Sequence, residues 1–104
     1  MTIQLIEKAR VEILLDEPLI SRVVELLNRH QIQSYTIFPS SAGQGTAGAW
    51  QDDQITGAQH KVLLLTVADF VKAEALAADV EPLLDAYGMI FMLSPVKVIR
   101  ASKF

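Results

Sequence analysis

Two helix-like segments, Leu19–Gln31 and Phe70–Tyr87, are each flanked by apolar runs of β character, and this arrangement most constrains the fold. Leu19, Ile20, Val23, Val24, Leu26 and Leu27 recur at helical spacing, with Ser21, Arg22, Glu25, Asn28 and Arg29 on the opposite face. Asp16-Glu17-Pro18 supplies an acidic, proline-led helix start, and Asn28-Arg29-His30 places basic groups near the negative pole of the dipole. The second segment starts after Thr66-Val67-Ala68-Asp69, which has the form of a capping box, and ends at Gly88. Pro82 inside it is expected to kink or split the helix near Glu81.

The flanking runs read as strands. Arg10–Leu15 partly alternates, Ser34–Phe38 is β-branched and aromatic and stops at Pro39, and Lys61–Val67 is apolar almost throughout, as a strand covered on both faces would be. Met89–Leu93 is a fourth strand, with a short fifth segment at Val96–Arg100 after Ser94-Pro95. Two strand–helix–strand halves of similar length predict an α+β fold: a ferredoxin-like βαββαβ antiparallel sheet with both helices on one face. The 104 residues are expected to form a single domain, 1–104, with a long loop at 39–60 between strands two and three. With 51% apolar residues there is more sheet surface than two helices can cover. Oligomerisation through the open face is therefore expected.

Several function classes are excluded or disfavoured. The chain has no cysteine, so thiol catalysis, disulfides and cysteine-ligated metals are absent. No apolar run approaches the ~18 residues of a membrane span, and the N-terminus lacks a signal-peptide pattern, so the cytoplasm is the expected setting. The net charge of −3 argues against a nucleic-acid binder. All 12 acids lie in residues 1–85, whereas residues 86–104 carry only Lys97, Arg100 and Lys103. This basic end could meet a small anion, or could be three solvated charges on an edge strand.

Gly43-Gln44-Gly45-Thr46-Ala47-Gly48 matches G-x-G-x-x-G, but no helix is predicted after it, so the dinucleotide-fold reading is rejected. Two readings remain open: a turn whose amides meet an anion, and a merely flexible loop. His30 and His60 have no nucleophile or carboxylate placed beside them by the sequence, and no catalytic residues are assigned. Asp52-Asp53 could ligate a hard cation but reads more simply as a solvated pair. Met89 and Met92 near Phe91 suit a core better than a soft-metal site. Trp50, alone in a small and polar loop, must either pack back on the body or anchor a partner.

The chain resembles the PII signalling superfamily, most closely its PII-like branch associated with bicarbonate transport and carboxysomes. The resemblance runs from Lys8 almost to the end. It rests on Val11-Glu12-Ile13, Ser34-Tyr35-Thr36-Ile37, Gly43-Gln44-Gly45, Gly88-Met89-Ile90-Phe91-Met92, and Lys97 with Arg100. It implies a homotrimer with adenine nucleotides in clefts between subunits, and a loop that engages a partner protein, such as a membrane transporter, according to ligand state. It implies a regulator and not an enzyme, with no metal and no required cofactor. Carried over by position, Thr36, Gly43, Gln44, Gly45, Gly88, Lys97 and Arg100 would bind the nucleotide, and Thr46, Gly48, Trp50, Asp52 and Asp53 would meet the partner.

Met89 stands where PII proteins usually place a lysine, which shifts the expected effector from a triphosphate to ADP or AMP, with bicarbonate a second candidate. The glycine pair sits about one residue further from strand two than in that branch, and the loop has no tyrosine for nucleotidylation. Two alternatives belong to other classes. One is a metal-responsive, cation-tolerance-type relative using Asp52, Asp53 and His60; the other is an oligomeric adaptor with no small ligand.

Overall fold

The computed structural model describes residues 3–46, 48–51 and 60–104. Strand β1 (Ile6–Asp16) leads through a 3₁₀ turn (Glu17–Leu19) into helix α1 (Ile20–Arg29). Strands β2 (Thr36–Pro39), β3 (Ala42–Gly45), β4 (Gly48–Gln51) and β5 (Lys61–Ala68) follow, then helix α2 (Phe70–Tyr87), strand β6 (Ile90–Val98) and a last 3₁₀ turn (Ala101–Lys103). The main sheet has the order β2-β5-β1-β6, antiparallel throughout. This is the ferredoxin-like α+β arrangement expected from the two strand–helix–strand halves.

Strand β1 sets the register of the whole sheet. Ala9, Val11, Ile13 and Leu15 are buried on one face, where they meet Val23 and Leu27 of α1 and Ala73, Leu76 and Val80 of α2. Strand β5 adds Val62, Leu64 and Ala68 to that core. Its other face, Leu63, Leu65 and Val67, is only half-buried, so the continuous apolar run of β5 is not covered on both sides within one protomer. By the pairing register Phe38, Leu14, Ile90 and Met92 share that outer face, and Phe38, Ile90 and Met92 are exposed at 45–49%. Arg10 and Glu12, 3.3 Å apart, form an ion pair on the same face.

Three local expectations need correction. Thr66 does not cap α2, because it lies inside β5 with its buried hydroxyl donating to the Ser34 carbonyl at 2.6 Å. Asp69 takes the N-cap position without a capping bond, and its carboxylate pairs with Lys8. Pro82 does not split α2, which runs unbroken for 18 residues. A missing N–H there forfeits one helical bond, and the flanking turns, packed by Val80 on the core, hold. Ser94-Pro95 likewise does not divide the final strand: β6 is a sheet edge, where a proline need not donate to the ladder.

The largest difference lies between β2 and β5. The sequence offers only a long loop there, whereas Ala42–Gly45 and Gly48–Gln51 form a two-stranded hairpin with Gly43 paired to Trp50. Asp52 and Asp53 lie outside the described residues.

Candidate functional site

The hairpin β3–β4 is held to the body by its tryptophan. Trp50 is 8% exposed, its Nε1 donates to Ser40 Oγ at 2.9 Å, and the Ser40 hydroxyl donates to the Lys61 carbonyl at 2.5 Å. The Lys61 ammonium stands 5.5 Å from the centre of the indole, a cation–π distance. A glycine opposite the tryptophan is required by this packing. A Cβ on Gly43 would fall 2.6 Å from Cη2 and 2.7 Å from Cε2 of Trp50. Trp50 therefore packs back on its own chain, the first of its two expected roles.

Beside the indole the register of β1 on β5 brings Asp16 opposite Lys61, and Lys61 Nζ donates to Asp16 Oδ1 at 2.6 Å. His60 completes the base of the hairpin, with Nδ1 3.1 Å from Glu17 Oε2 and Nε2 3.1 Å from the Ser40 carbonyl oxygen. Both partners accept, so the ring makes both hydrogen bonds only when it carries both protons.

Across from the hairpin, α2 ends at Gly88 in the left-handed conformation (φ 63°), which a glycine adopts without a Cβ penalty. The Gly88 and Met89 amides both donate to the Leu84 carbonyl, closing the helix end. Tyr87, one residue earlier, is fixed by Arg22 of α1. The guanidinium donates to the phenol oxygen at 3.1 Å and lies 5.4 Å from the ring centre.

Between the hairpin and this helix end lies a cleft of about 730 Å³. Gln44, Gly45, Thr46, Gly48 and Trp50 form one wall, residues 84–90 with Gly88 form the other, and Leu14, Asp16 and Lys61 form the floor. The volume lies in the usual range for small-molecule sites. Its charge is unusual for an anion site. Among the described residues Lys61 is the one cation lining it, against Asp16, Asp85 and the negative end of the α2 dipole.

Of the residues the sequence singled out, Gln44, Gly45 and Gly88 come together here with Thr46, Gly48 and Trp50. Gly43 sits behind them, against the indole. Thr36 begins β2 opposite Leu65, away from the cleft. Lys97 and Arg100 lie at the far end of the sheet. Lys97 pairs with Glu7, whereas Ile90 at the cleft pairs with Leu14, so the two ends of β6 are about 25 Å apart at the usual strand rise. Arg100 carries a left-handed backbone (φ 61°), uncommon for a residue with a Cβ. Sequence reasoning did not single out Lys61, Asp16, Ser40 or Tyr87 for the site. The pairing of Asp16 with Lys61 becomes visible only once β1 is set against β5.

Among the described residues no three histidine or acidic side chains converge as a metal site, and no helix is long and apolar enough to cross a membrane. A family model for nitrogen regulatory protein P-II matches residues 8–103. The chain belongs to the P-II family. P-II proteins are regulators, and the fold agrees with that of solved P-II relatives. CPII, a nitrogen regulatory PII-like protein from Thiomonas intermedia K12 bound to ADP, AMP and bicarbonate, superposes with a TM-score of 0.91 at 20% identity. The match covers 99% of this chain and 98% of that one. The apo form of CPII matches at 0.76 and 19% identity, over 95% and 99% of the two chains. A protein of Thermus thermophilus described as PII-like and signalling matches at 0.83 and 22%, over 97% and 98%. No curated protein matches the chain.

Proposed function

We propose that this P-II family member is a non-enzymatic regulator that binds an adenine nucleotide, ADP or AMP, together with bicarbonate. In this reading it is a homotrimer in the cytoplasm, and its 43–57 loop offers a ligand-dependent surface to a partner protein such as a membrane transporter. The observation that carries the reading is the cleft itself, which joins Gln44 and Gly45 to the Gly88 turn. It is built on the fold shared with CPII, whose structures hold ADP with AMP and bicarbonate, or ADP with bicarbonate.

The charge of the cleft explains why one protomer is not enough. The Gly88 and Met89 amides are committed to Leu84, so a phosphate gains no free donor from them. Lys61 alone cannot offset a diphosphate beside Asp16 and Asp85. Lys97 and Arg100 are exposed and too distant in the same chain. A neighbouring copy would bring them in, as guanidinium and ammonium groups suited to phosphate oxygens. The outer sheet face supplies the reason for copies to associate, since Phe38, Ile90 and Met92 are exposed beside half-buried Leu63 and Leu65.

Thr46, Gly48 and Trp50 lie in the cleft wall, so a ligand there would act directly on the segment offered to the partner. Isothermal titration of the full chain with ADP, AMP, ATP, cyclic AMP and bicarbonate tests the reading. Saturable binding of ADP or AMP is expected. Absence of heat with every nucleotide refutes it.

A further inference from the structure

The apolar outer face of the sheet carries an ion pair in its middle. Arg10 and Glu12 of β1 stand there 3.3 Å apart, their side chains 45% and 25% exposed. By register Arg10 lies between Val67 and Ser94, and Glu12 between Leu65 and Met92. Leu14 follows on the same face between Leu63 and Ile90. Lys8, the other β1 cation on this face by strand alternation, is already taken by Asp69. The contact to Glu12 runs through Arg10 Nε, one of five donors on the guanidinium. Among the described residues no second carboxylate lies within ion-pair distance of Arg10.

This pair restricts what can cover the face. A buried ion pair is tolerated only where further hydrogen bonds meet its remaining donors and acceptors. A wholly apolar cover would leave most of the Arg10 fork unmet. A fitting cover therefore brings an apolar patch and, in its middle, a carboxylate for Arg10 and a cation for Glu12. A second copy of this chain carries both, two residues apart on one strand. From this self-complementarity we infer that copies of the chain cover the face for one another, with Arg10 of each copy bridging its own Glu12 and the Glu12 of the neighbouring copy. In a closed ring of copies the pairs then form a belt of alternating charge, which fixes how neighbours register. The inference rests on the homotrimer reading above and names the residues that select the chain's own copies.

Exchanging the two charges tests it without altering net charge or the pair inside one strand. The doubly exchanged chain, Arg10→Glu with Glu12→Arg, is expected to assemble with itself to the wild-type mass. Against wild type it sets Arg10 opposite an arginine and Glu12 opposite a glutamate. Co-expressed with mass-tagged wild-type chain and weighed by native mass spectrometry, it is expected to give mixed assemblies about tenfold or more below their statistical share. Tagged and untagged wild type mix freely as the control. The single variants Arg10→Glu and Glu12→Arg provide a second measurement. Each alone is expected to give smaller species by light scattering with the helical signal intact, and the two together to recover larger assemblies. A wild-type chain that stays monomeric at micromolar concentration overturns the homotrimer reading and this inference with it, and leaves the face to a different partner. Wild-type assemblies that mix at random with the doubly exchanged chain, or single variants that assemble no better together than apart, overturn the inference alone.

Discussion

Replacing Gly43 by alanine inserts one methyl group into space the indole of Trp50 already fills, since the new Cβ would stand 2.6–2.7 Å from ring carbons Cη2 and Cε2. Gly43 and Trp50 are paired across β3 and β4, so neither backbone can retreat without opening the hairpin. Overpacking of this kind costs about 1–3 kcal/mol. The alternative, expelling the ring, forfeits the burial of a tryptophan, at most about 4–6 kcal/mol for the ~150–250 Å² such a side chain covers. Two four-residue strands have little stability of their own. A cost of about 2 kcal/mol, roughly thirtyfold in population, is therefore enough to release the hairpin while the α+β core stays folded. Trp50 is the single tryptophan of the chain, so its fluorescence reports this event alone. Gly43→Ala is expected to red-shift the emission and expose it to acrylamide, with an unchanged far-ultraviolet helix signal. Gly45→Ala is the control, because a Cβ there meets Trp50 Cζ3 at an ordinary 3.8 Å. Shielded, blue emission in Gly43→Ala, or the same change in both variants, would refute the reasoning.

Three other outcomes follow from the same structure. Lys97→Ala and Arg100→Ala should each weaken ADP binding by about tenfold or more while leaving the thermal midpoint within a degree or two, because both side chains are exposed and have no ion-pair partner among the described residues. Leu65→Glu puts a charge in the middle of the outer sheet face and should yield smaller species by light scattering, with the helices intact. The Asp69 carboxyl is held below its ordinary value by its hydrogen bond to Lys8, then by the charges of Lys8 and Lys72. A depressed folded value means its contribution is complete above the ordinary carboxylate range and fades only as pH falls through that range toward the lowered one. Urea unfolding should accordingly show no Asp69→Asn difference in pH slope near neutrality and a shallower acid limb in the variant.

The main architecture was legible because it rests on local signals. The helical spacing of Val23, Leu26 and Leu27, the acidic proline-led turn before them and the glycine at 88 all act within a few residues, and the structure keeps each. Where a local signal misled, a long-range partner had overruled it: Thr66 found the Ser34 carbonyl, and Asp69 found Lys8 across 61 positions. The hairpin was invisible for a different reason. Ala42–Gly45 is short, small and poor in β-formers, and its order comes from one indole covering one glycine and from a serine and a lysine outside it. The site was legible in part. Glycines mark the places where backbone forms the cleft walls, and the sequence shows them directly. The charge balance depends on which acids face Lys61, and only the pairing of β1 with β5 puts Asp16 there.

The central claim is that a ligand in the cleft acts on the segment after β2, and Trp50 sits where the two meet. Titrating the full chain with ADP, with and without bicarbonate, while following Trp50 emission tests it most directly. The expected result is a saturable spectral change whose midpoint equals the calorimetric dissociation constant and which moves to about tenfold higher ADP, or beyond, in Arg100→Ala. Calorimetric binding with an unchanged Trp50 spectrum would contradict it.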